Sequence, residues 1–414
     1  MFDMDELTAL FSPAANTDPY PIYSRLRERA PVVKAEEVGL WVLSRYEDIV
    51  YALKRPDLFS SRRDDALAQK LIDPRLQDSI EFDLLNQTSI IGVDPPAHTR
   101  LRKLINVAFT PRAINRLETR IRALARELVD DILHTRDFDL IEAFAVPLPV
   151  IVISEPLGVD PARRADFKRW SDDLLIGSRF DDLDDTTVER VIRSRREFVD
   201  YFREIIELRR RAPQDDLLGD LIRAEVEREM LSPDELLAMA VVLMIAGNET
   251  TTNLIGNGMA EILEHPEQLR RLRAEPALIP NFIEEVLRFR SPVNMLVRTT
   301  TQDVTLRGVT IPKGEGVAML IASANRDPEQ FVAPDRFDST RERPAHLAFG
   351  FGIHFCVGAP LSRLEGRIAF EELFGRLPEL RRAPGPLDWI TNSGLRGLRS
   401  LWLSRARASS YASG

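Results

Sequence analysis

The chain has 414 residues, 65 of them acidic and 56 basic, a formal charge of −9, a single cysteine and 44% hydrophobic residues. This is globular composition, which excludes disordered, collagen-like and fibrous classes, and a chain this long needs no disulfide or metal staple to hold a core. One cysteine excludes an intramolecular disulfide, and the net negative charge argues against nucleic acid as the main partner. Length alone allows two or three domains. The start MFDMDELTAL has no basic-then-apolar leader, and the longest apolar run, 238–247, is too short to span a bilayer, so a cytoplasmic protein without a membrane anchor is expected.

In chain order, 21–30 reads as a short helix, 32–44 as two strands around a turn at 36–39, and 46–54 as a helix. Residues 62–95 have little periodicity, the pattern of a long loop over something. Two helices fit 97–132, split at Thr110-Pro111, where threonine caps and proline opens the second. Further helices are expected at 161–176, 186–211 and 216–228. Ser232-Pro233-Asp234-Glu235 is a capping box that launches a helix reaching about Glu264. At about 1.5 Å per residue it is roughly 48 Å long, enough to cross a domain. Residues 280–290 are helical, and 298–324 alternate around Arg307-Gly308 and Lys313-Gly314 as short antiparallel strands. The proline-rich segment 328–344 is irregular, 358–377 is helical, and 389–403 reads as a hairpin. No linker separates two cores. The expectation is one domain over 1–414, mainly α with a minor β part, with a loose tail from about 405.

Around the lone cysteine the sequence runs His346-Leu347-Ala348-Phe349-Gly350-Phe351-Gly352-Ile353-His354-Phe355-Cys356-Val357-Gly358-Ala359-Pro360. Glycines allow tight turns and close approach of backbone to a flat ligand. A sulfur at a helix N-terminus meets amide N–H groups that favour thiolate. A lone cysteine elsewhere would be a small core hydrophobe; a glycine-lined loop feeding a helix points to a ligand role instead. With no second cysteine for zinc or an iron–sulfur cluster, a metal on this sulfur must be held mainly by something else, such as a macrocycle with four ligands.

Three more constellations stand out. Ala246-Gly247-Asn248-Glu249-Thr250-Thr251 puts an acid, hydroxyls and a glycine inside an apolar helix. There glycine costs about 1 kcal/mol against alanine, and an unpaired carboxylate costs more; the bland reading is a kink with threonine bonded back to a carbonyl. Glu285-Val286-Leu287-Arg288 is an i, i+3 pair, by itself a surface ion pair worth under about 1 kcal/mol. His98 and Arg102 sit one turn apart after Asp94-Pro95-Pro96, two donors suited to an anion. Gly350-Phe351-Gly352 lacks the last glycine of a dinucleotide fingerprint, no phosphate-binding GxxxxGKS/T loop, HExxH or GxSxG is present, and the five histidines show no zinc spacing.

Phe349-x-x-Gly352-x-His354-x-Cys356-x-Gly358 resembles the haem-binding loop of cytochrome P450 monooxygenases at every defining position, and the other motifs fall in that family's order. The resemblance spans nearly the whole chain. It implies a cytochrome P450 fold with the long central helix over haem b, whose iron is ligated by Cys356. It further implies haem contacts at Ala246, Phe349, Gly350 and Gly358, and propionates held by His98, Arg102, Arg298 and His354. Glu249 and Thr250 would relay protons. Glu285 and Arg288 would form a buried structural network joined by the side chain of Arg336.

The implied activity inserts one oxygen atom of O₂ into a C–H or C=C bond of a hydrophobic small molecule, be it terpenoid, fatty acid, steroid or macrolide-like. Electrons would come from an external ferredoxin and ferredoxin reductase, because the chain carries no flavin or iron–sulfur motif. By analogy the substrate-facing positions include Phe82, Leu84, Leu85, Ile90, Phe180 and Leu243. Ala246, Val293, Met295, Leu296 and Leu395 complete the set, with Asn294 as an orienting hydrogen-bonder. Arg100, Lys103, Arg112, Arg363 and Arg367 are candidates for a basic docking face behind the sulfur. A monomer is expected. The rivals are an H₂O₂-driven peroxygenase, which needs no Glu249–Thr250 relay, and a haem sensor, which would carry an output module.

Overall fold

The computed structural model describes residues 4–11, 17–62, 72–76, 88–176, 183–226, 229–342, 344–377, 379–390 and 394–405. The N-terminal part contains α1 (Met4–Ala9), α2 (Tyr20–Arg29), β1 (Val32–Ala35), β2 (Leu40–Leu43), α3 (Tyr46–Lys54) and β3 (Phe59–Ser60). The middle contains α4 (Ala97–Ala108), α5 (Pro111–Leu133), β4 (Asp137–Asp139), α6 (Pro147–Ser154), α7 (Arg164–Leu175), α8 (Asp185–Arg211) and α9 (Leu217–Arg223). The hairpin β5 (Glu225–Val226) and β6 (Glu229–Met230) leads to α10 (Pro233–Leu263), α11 (Pro266–Ala274) and α12 (Ile279–Phe289). After β7 (Met295–Thr300), β8 (Val304–Leu306), β9 (Val309–Ile311), β10 (Gly316–Leu320) and α13 (Ile321–Ala324) comes α14 (Ala359–Arg376). The chain closes with β11 (Leu380–Arg382), β12 (Asp388–Trp389), β13 (Leu398–Ser400) and β14 (Trp402–Arg405). The architecture is helix-rich with small sheets, as expected.

The 31-residue helix α10 is launched by the capping box: Glu235 N donates to Ser232 Oγ at 3.2 Å, and Ser232 N donates to Glu235 Oε2 at 2.8 Å. Its first half packs with α4, α7 and α8, and its second half with α5, α12 and α14. Residues 246–253, which carry the polar motif, belong to neither apolar cluster. The two cores therefore grip the helix on either side of its polar turn. Close approach there depends on small residues: a Cβ on Gly258 would lie 2.6 Å from the Phe370 ring. At Thr110 the N-cap forms as expected, Ala113 N donating to its hydroxyl at 3.1 Å.

The main sheet has the order β1-β2-β10-β7-β3. Within 298–324 the pairings β10–β7 and β8–β9 are antiparallel as expected, while β10 also pairs parallel with β2, Gly316 opposite Leu40. The β8–β9 turn at Arg307-Gly308 takes positive φ at both positions, +49° and +79°, as a tight hairpin demands.

Other expectations shift. The helix expected over 216–228 ends at Arg223 and gives way to β5–β6. Residues 389–403 are not one hairpin: β12 pairs with β13, whereas β14 joins β11 and β4. Helices α6 and α11 and strand β4 were not anticipated. α6, PLPVIVIS, is apolar without a period, and burial against α10 makes it helical. The expected tail beyond Arg405 lies outside the described residues. Among the described residues no helix is long and apolar enough to cross a membrane.

Candidate haem and active site

The loop before α14 is tightly folded. Cys356 N donates to Phe349 O at 2.9 Å and Gly350 N to Leu347 O at 2.8 Å. Gly352 has φ +70°, and a Cβ there would lie 2.4 Å from Leu53 O, so only glycine lets the loop pass α3. The turn leaves the Cys356 sulfur at the start of α14. Burial pushes its thiol pKa up, while the amides of Gly358 and Ala359 and the Arg102 guanidinium pull it down. The charge of a bound metal would complete thiolate stabilisation. Among the described residues no cluster of three or more His, Cys, Asp or Glu could hold a metal ion. Further ligands therefore have to come with the group that Cys356 binds.

A cavity of about 610 Å³ opens over this sulfur. Its wall brings together Phe349, Gly350, His354, Cys356 and Gly358 from the loop, His98 and Arg102 from α4, Arg298 from β7, and Ala246, Gly247, Thr250 and Thr251 from α10. The His98 and His354 rings lie 4.2 Å apart, and Ser61 Oγ is 2.8 Å from His354 Nε2. Arg102 donates to Phe355 O at 2.8 Å, and Arg298 to Val297 O at 2.8 Å. His98 Nε2 is buried without a partner among the described residues. Burial, with Arg298, His98 and Arg102 nearby, holds the His354 pKa down at about 3; burial and Arg102 lower that of His98. Four donors thus converge where positive charge is penalised, a setting that fits a ligand bringing carboxylates of its own. These residues fit haem.

The acid–alcohol motif divides. Thr250 lines the cavity and its Oγ1 donates to Ala246 O at 2.7 Å, the helix back-bond. Glu249 does not line the cavity. Its buried carboxyl faces Lys168 and Asp172 of α7, and burial raises its pKa. Adjacent helical positions point about 100° apart, so the two cannot share one face.

The Glu285–Arg288 pair is fully buried, with Nε···Oε2 at 2.7 Å and Nη2···Oε1 at 2.8 Å. Arg336 joins it differently from the expectation: its carbonyl accepts from Arg288 at 3.2 Å, while its guanidinium is 73% exposed and pairs with Asp338. The third charged side chain is Arg341, whose Nε lies 3.1 Å from Glu285 Oε2.

Of the substrate positions, Ile90, Leu243, Ala246, Val293, Met295 and Leu296 line the cavity. Phe82, Leu84, Leu85 and Phe180 lie outside the described residues. Asn294 and Leu395 do not line it. Asn294 is buried, its backbone tied to Gly394 O at 2.9 Å and to Ala322 N at 3.2 Å, and Gly394 takes the wall position. The sequence reading missed Ile153 on the periodless α6, Leu174 and Leu175 at the end of α7, and Glu365 on α14. Glu365 had a signal: it is a lone acid among Leu361, Leu364, Ile368 and Ala369. The docking candidates are largely spoken for. Arg363 is bidentate on Glu284 at 2.7 and 2.8 Å, Arg367 binds Glu118 at 2.8 Å, and Arg100 pairs with Glu235.

The cytochrome P450 family profile matches residues 33–377. The chain is 42% identical over 400 residues to cytochrome P450 107B1 of Saccharopolyspora erythraea, covering 94% of this chain and 96% of that one. The solved structure of cytochrome P450 CYP109Q5 from Chondromyces apiculatus superposes with TM-score 0.86 at 41% identity, covering 96% of this chain and 97% of that one. CYP109E1 from Bacillus megaterium, solved in complex with corticosterone, gives TM-score 0.84 at 36% identity over 95% and 99% of the two chains. With a cysteine under a donor-ringed cavity and this likeness along almost its whole length, the chain belongs to the cytochrome P450 family and is a haem-thiolate monooxygenase that uses O₂ on hydrophobic substrates, with Cys356 as the iron ligand.

Proposed function

We propose that this monooxygenase hydroxylates or epoxidises a bulky, largely apolar molecule of steroid, terpenoid, macrolide-like or fatty-acid type. The observation that carries the reading is the apolar wall above the sulfur, where Ile90, Leu243, Val293, Met295 and Leu296 face one space with the Thr250 hydroxyl. The haem takes the part of that space beside Cys356, and the substrate takes the rest. The corticosterone bound by the CYP109E1 neighbour supports including rigid polycyclic molecules.

Bound haem supplies reductive activation of O₂, and a thiolate ligand favours O–O cleavage. His98, Arg102, Arg298 and His354 would hold the two haem carboxylates, and Phe349, Gly350, Gly358 and Ala246 would lie against the ring. Thr250 can leave Ala246 O and turn its hydroxyl proton into the cavity, taking one back from water. Glu249, whose pKa burial raises, exchanges protons on the α7 side of the same helix turn. Electrons come from a separate ferredoxin and its reductase in the cytoplasm. Their docking face lies around the half-exposed Phe355, whose carbonyl already holds Arg102.

The test is a spin-state titration of the purified haem protein against steroids, terpenoids, macrolides and fatty acids, followed by turnover with ferredoxin, reductase and NAD(P)H. A high-spin shift with one class and an O₂-dependent oxygenated product is the expected result. No shift with any class, or turnover with H₂O₂ but none with the electron-transfer proteins, refutes it.

A further inference from the structure

Two segments far apart in sequence share one stretch of cavity wall. Pro292, Val293, Met295 and Leu296 come from the run into β7, and Gly394 from the run into β13. They are laced to each other: Asn294 N donates to Gly394 O at 2.9 Å, Arg396 N donates to Pro292 O at 2.8 Å, and Val293 bridges Leu395. These bonds fix the segments to each other. The pair still has to be fixed against the helix that carries Thr250.

One side chain of that helix reaches both. Asn257 on α10 is 1% exposed and donates through Nδ2 to Arg290 O at 3.1 Å and to Arg396 O at 2.9 Å. An amide nitrogen carries two hydrogens, so each carbonyl takes one. Asn257 stands seven residues beyond Thr250, which is two turns, about 10 Å along the axis, and nearly the same helix face. The helix is thus a rigid ruler between the Thr250 hydroxyl and the wall. Between the two positions a Cβ on Gly397 would overlap the Asn253 side chain, so the second segment runs hard against α10. One turn further on, Glu261 Oε2 accepts from Arg290 Nε at 2.7 Å and gives the first segment a second hold. Asn257 does not line the cavity, so it acts through the wall and not on the ligand.

We propose that Asn257 is a positioning residue that determines specificity: it sets the distance from the Val293–Gly394 wall to the Thr250 hydroxyl, and with it the length of molecule the cavity accepts. Long rigid molecules touch that wall and small ones do not. Without the amide, two buried carbonyls lose their donor and the laced segments shift as a unit. This rests on the reading of that wall as substrate-facing.

The test uses haem-loaded wild type, Asn257→Asp and Asn257→Ala. The probes are imidazole, phenylimidazole and biphenylimidazole, whose ring nitrogen binds iron while their tails reach progressively further up the cavity. Binding is read from the difference spectrum. Asp is isosteric but sets a carboxylate against two carbonyls, and Ala removes the amide. Imidazole should bind all three proteins equally. Biphenylimidazole should bind the variants roughly three- to tenfold more weakly, the scale of one lost hydrogen bond. A Val293→Trp control should block the biphenyl probe. If it does, equal biphenyl affinity in wild type and both Asn257 variants overturns the proposal. If it does not, the wall reading falls and the proposal falls with it. Equal losses for imidazole and the biphenyl probe mark general damage to the site and also overturn it. Ala carries the test if Asp fails to hold haem. The probes require no knowledge of the substrate, so a failed titration with steroids and the other classes refutes the proposed function and leaves this test intact.

Discussion

Replacing Arg341 by leucine and, separately, Arg336 by alanine distinguishes two versions of the buried charge network. Glu285 and Arg288 are 0% exposed, and Glu285 accepts from Arg288 twice and from Asp338 N at 2.9 Å. Arg288 in turn donates to the carbonyls of Asn325 at 2.9 Å, Pro334 at 2.8 Å and Arg336 at 3.2 Å. One guanidinium thus ties down three backbone carbonyls before the haem loop. Removing one member of a buried charge network costs about 3–5 kcal/mol. The Arg341 side chain is 19% exposed, lies against one oxygen of an already bidentate carboxylate and donates to Val332 O at 3.1 Å and Ala333 O at 3.4 Å, so about 1–3 kcal/mol is expected for Arg341→Leu. Arg336 contributes only a backbone carbonyl to the network, and alanine retains that. Its exposed pair with Asp338 is worth under about 1 kcal/mol, so Arg336→Ala should be nearly neutral. Urea unfolding followed by circular dichroism, at fixed haem and protein concentration, measures both. A loss for Arg336→Ala equal to or larger than that for Arg341→Leu would refute the geometry.

Three further outcomes are expected. Thr250→Ala should keep haem and the red-shifted carbon monoxide band yet divert electrons to peroxide, measured as peroxide released per NAD(P)H; unchanged coupling would remove Thr250 from proton delivery. Gly352→Ala sets a Cβ against Leu53 O at a φ of +70°, which should weaken haem retention and lower stability by about 1–3 kcal/mol, read by haem transfer to apomyoglobin and by unfolding. Glu284 is raised by burial but lowered further by its bonds to Arg363 and His346, to about 2 from the usual 4.5. Its stabilisation is therefore full above about pH 4.5 and is lost as pH falls toward 2. Allowing for the half-exposed Arg363, it amounts to about 2–3 kcal/mol. Glu284→Gln should flatten that acid limb of the stability curve, and an unchanged limb would refute the pairing.

Local signals were legible in the sequence where a few residues suffice. Thr110 and Ser232 announced the starts of α5 and α10 because capping is a contact within three residues. The haem loop was legible because glycines, a cysteine and a helix start lie within ten positions. What depended on distant packing was not. The parallel β2–β10 pair joins segments from opposite ends of the chain, and no local pattern carries its direction. α6 is apolar all round, so periodicity could not tell it from a strand. Arg336 and Arg341 lie in the same irregular segment, and only the path of the backbone decides which guanidinium turns inward. The motif likewise marked the acid beside Thr250, while the acid that lines the cavity, Glu365, comes from another helix, and only packing brings it there.

The parallel pairing of β2 with β10 has a consequence for the chain as it leaves the ribosome. Leu40 must wait for Gly316, and at about 5–20 residues per second that wait is roughly 15–55 s. Until then the β1–β2 hairpin is a two-stranded ribbon, marginal by itself, with Leu40 and Val42 still lacking the partners that bury them. Cys356 emerges later still, so the haem pocket closes only after nearly the whole polypeptide has been made. A truncated product from an early stop codon would carry an unpaired apolar edge and no site for the cofactor, making it a substrate for proteolysis and not a partly active enzyme.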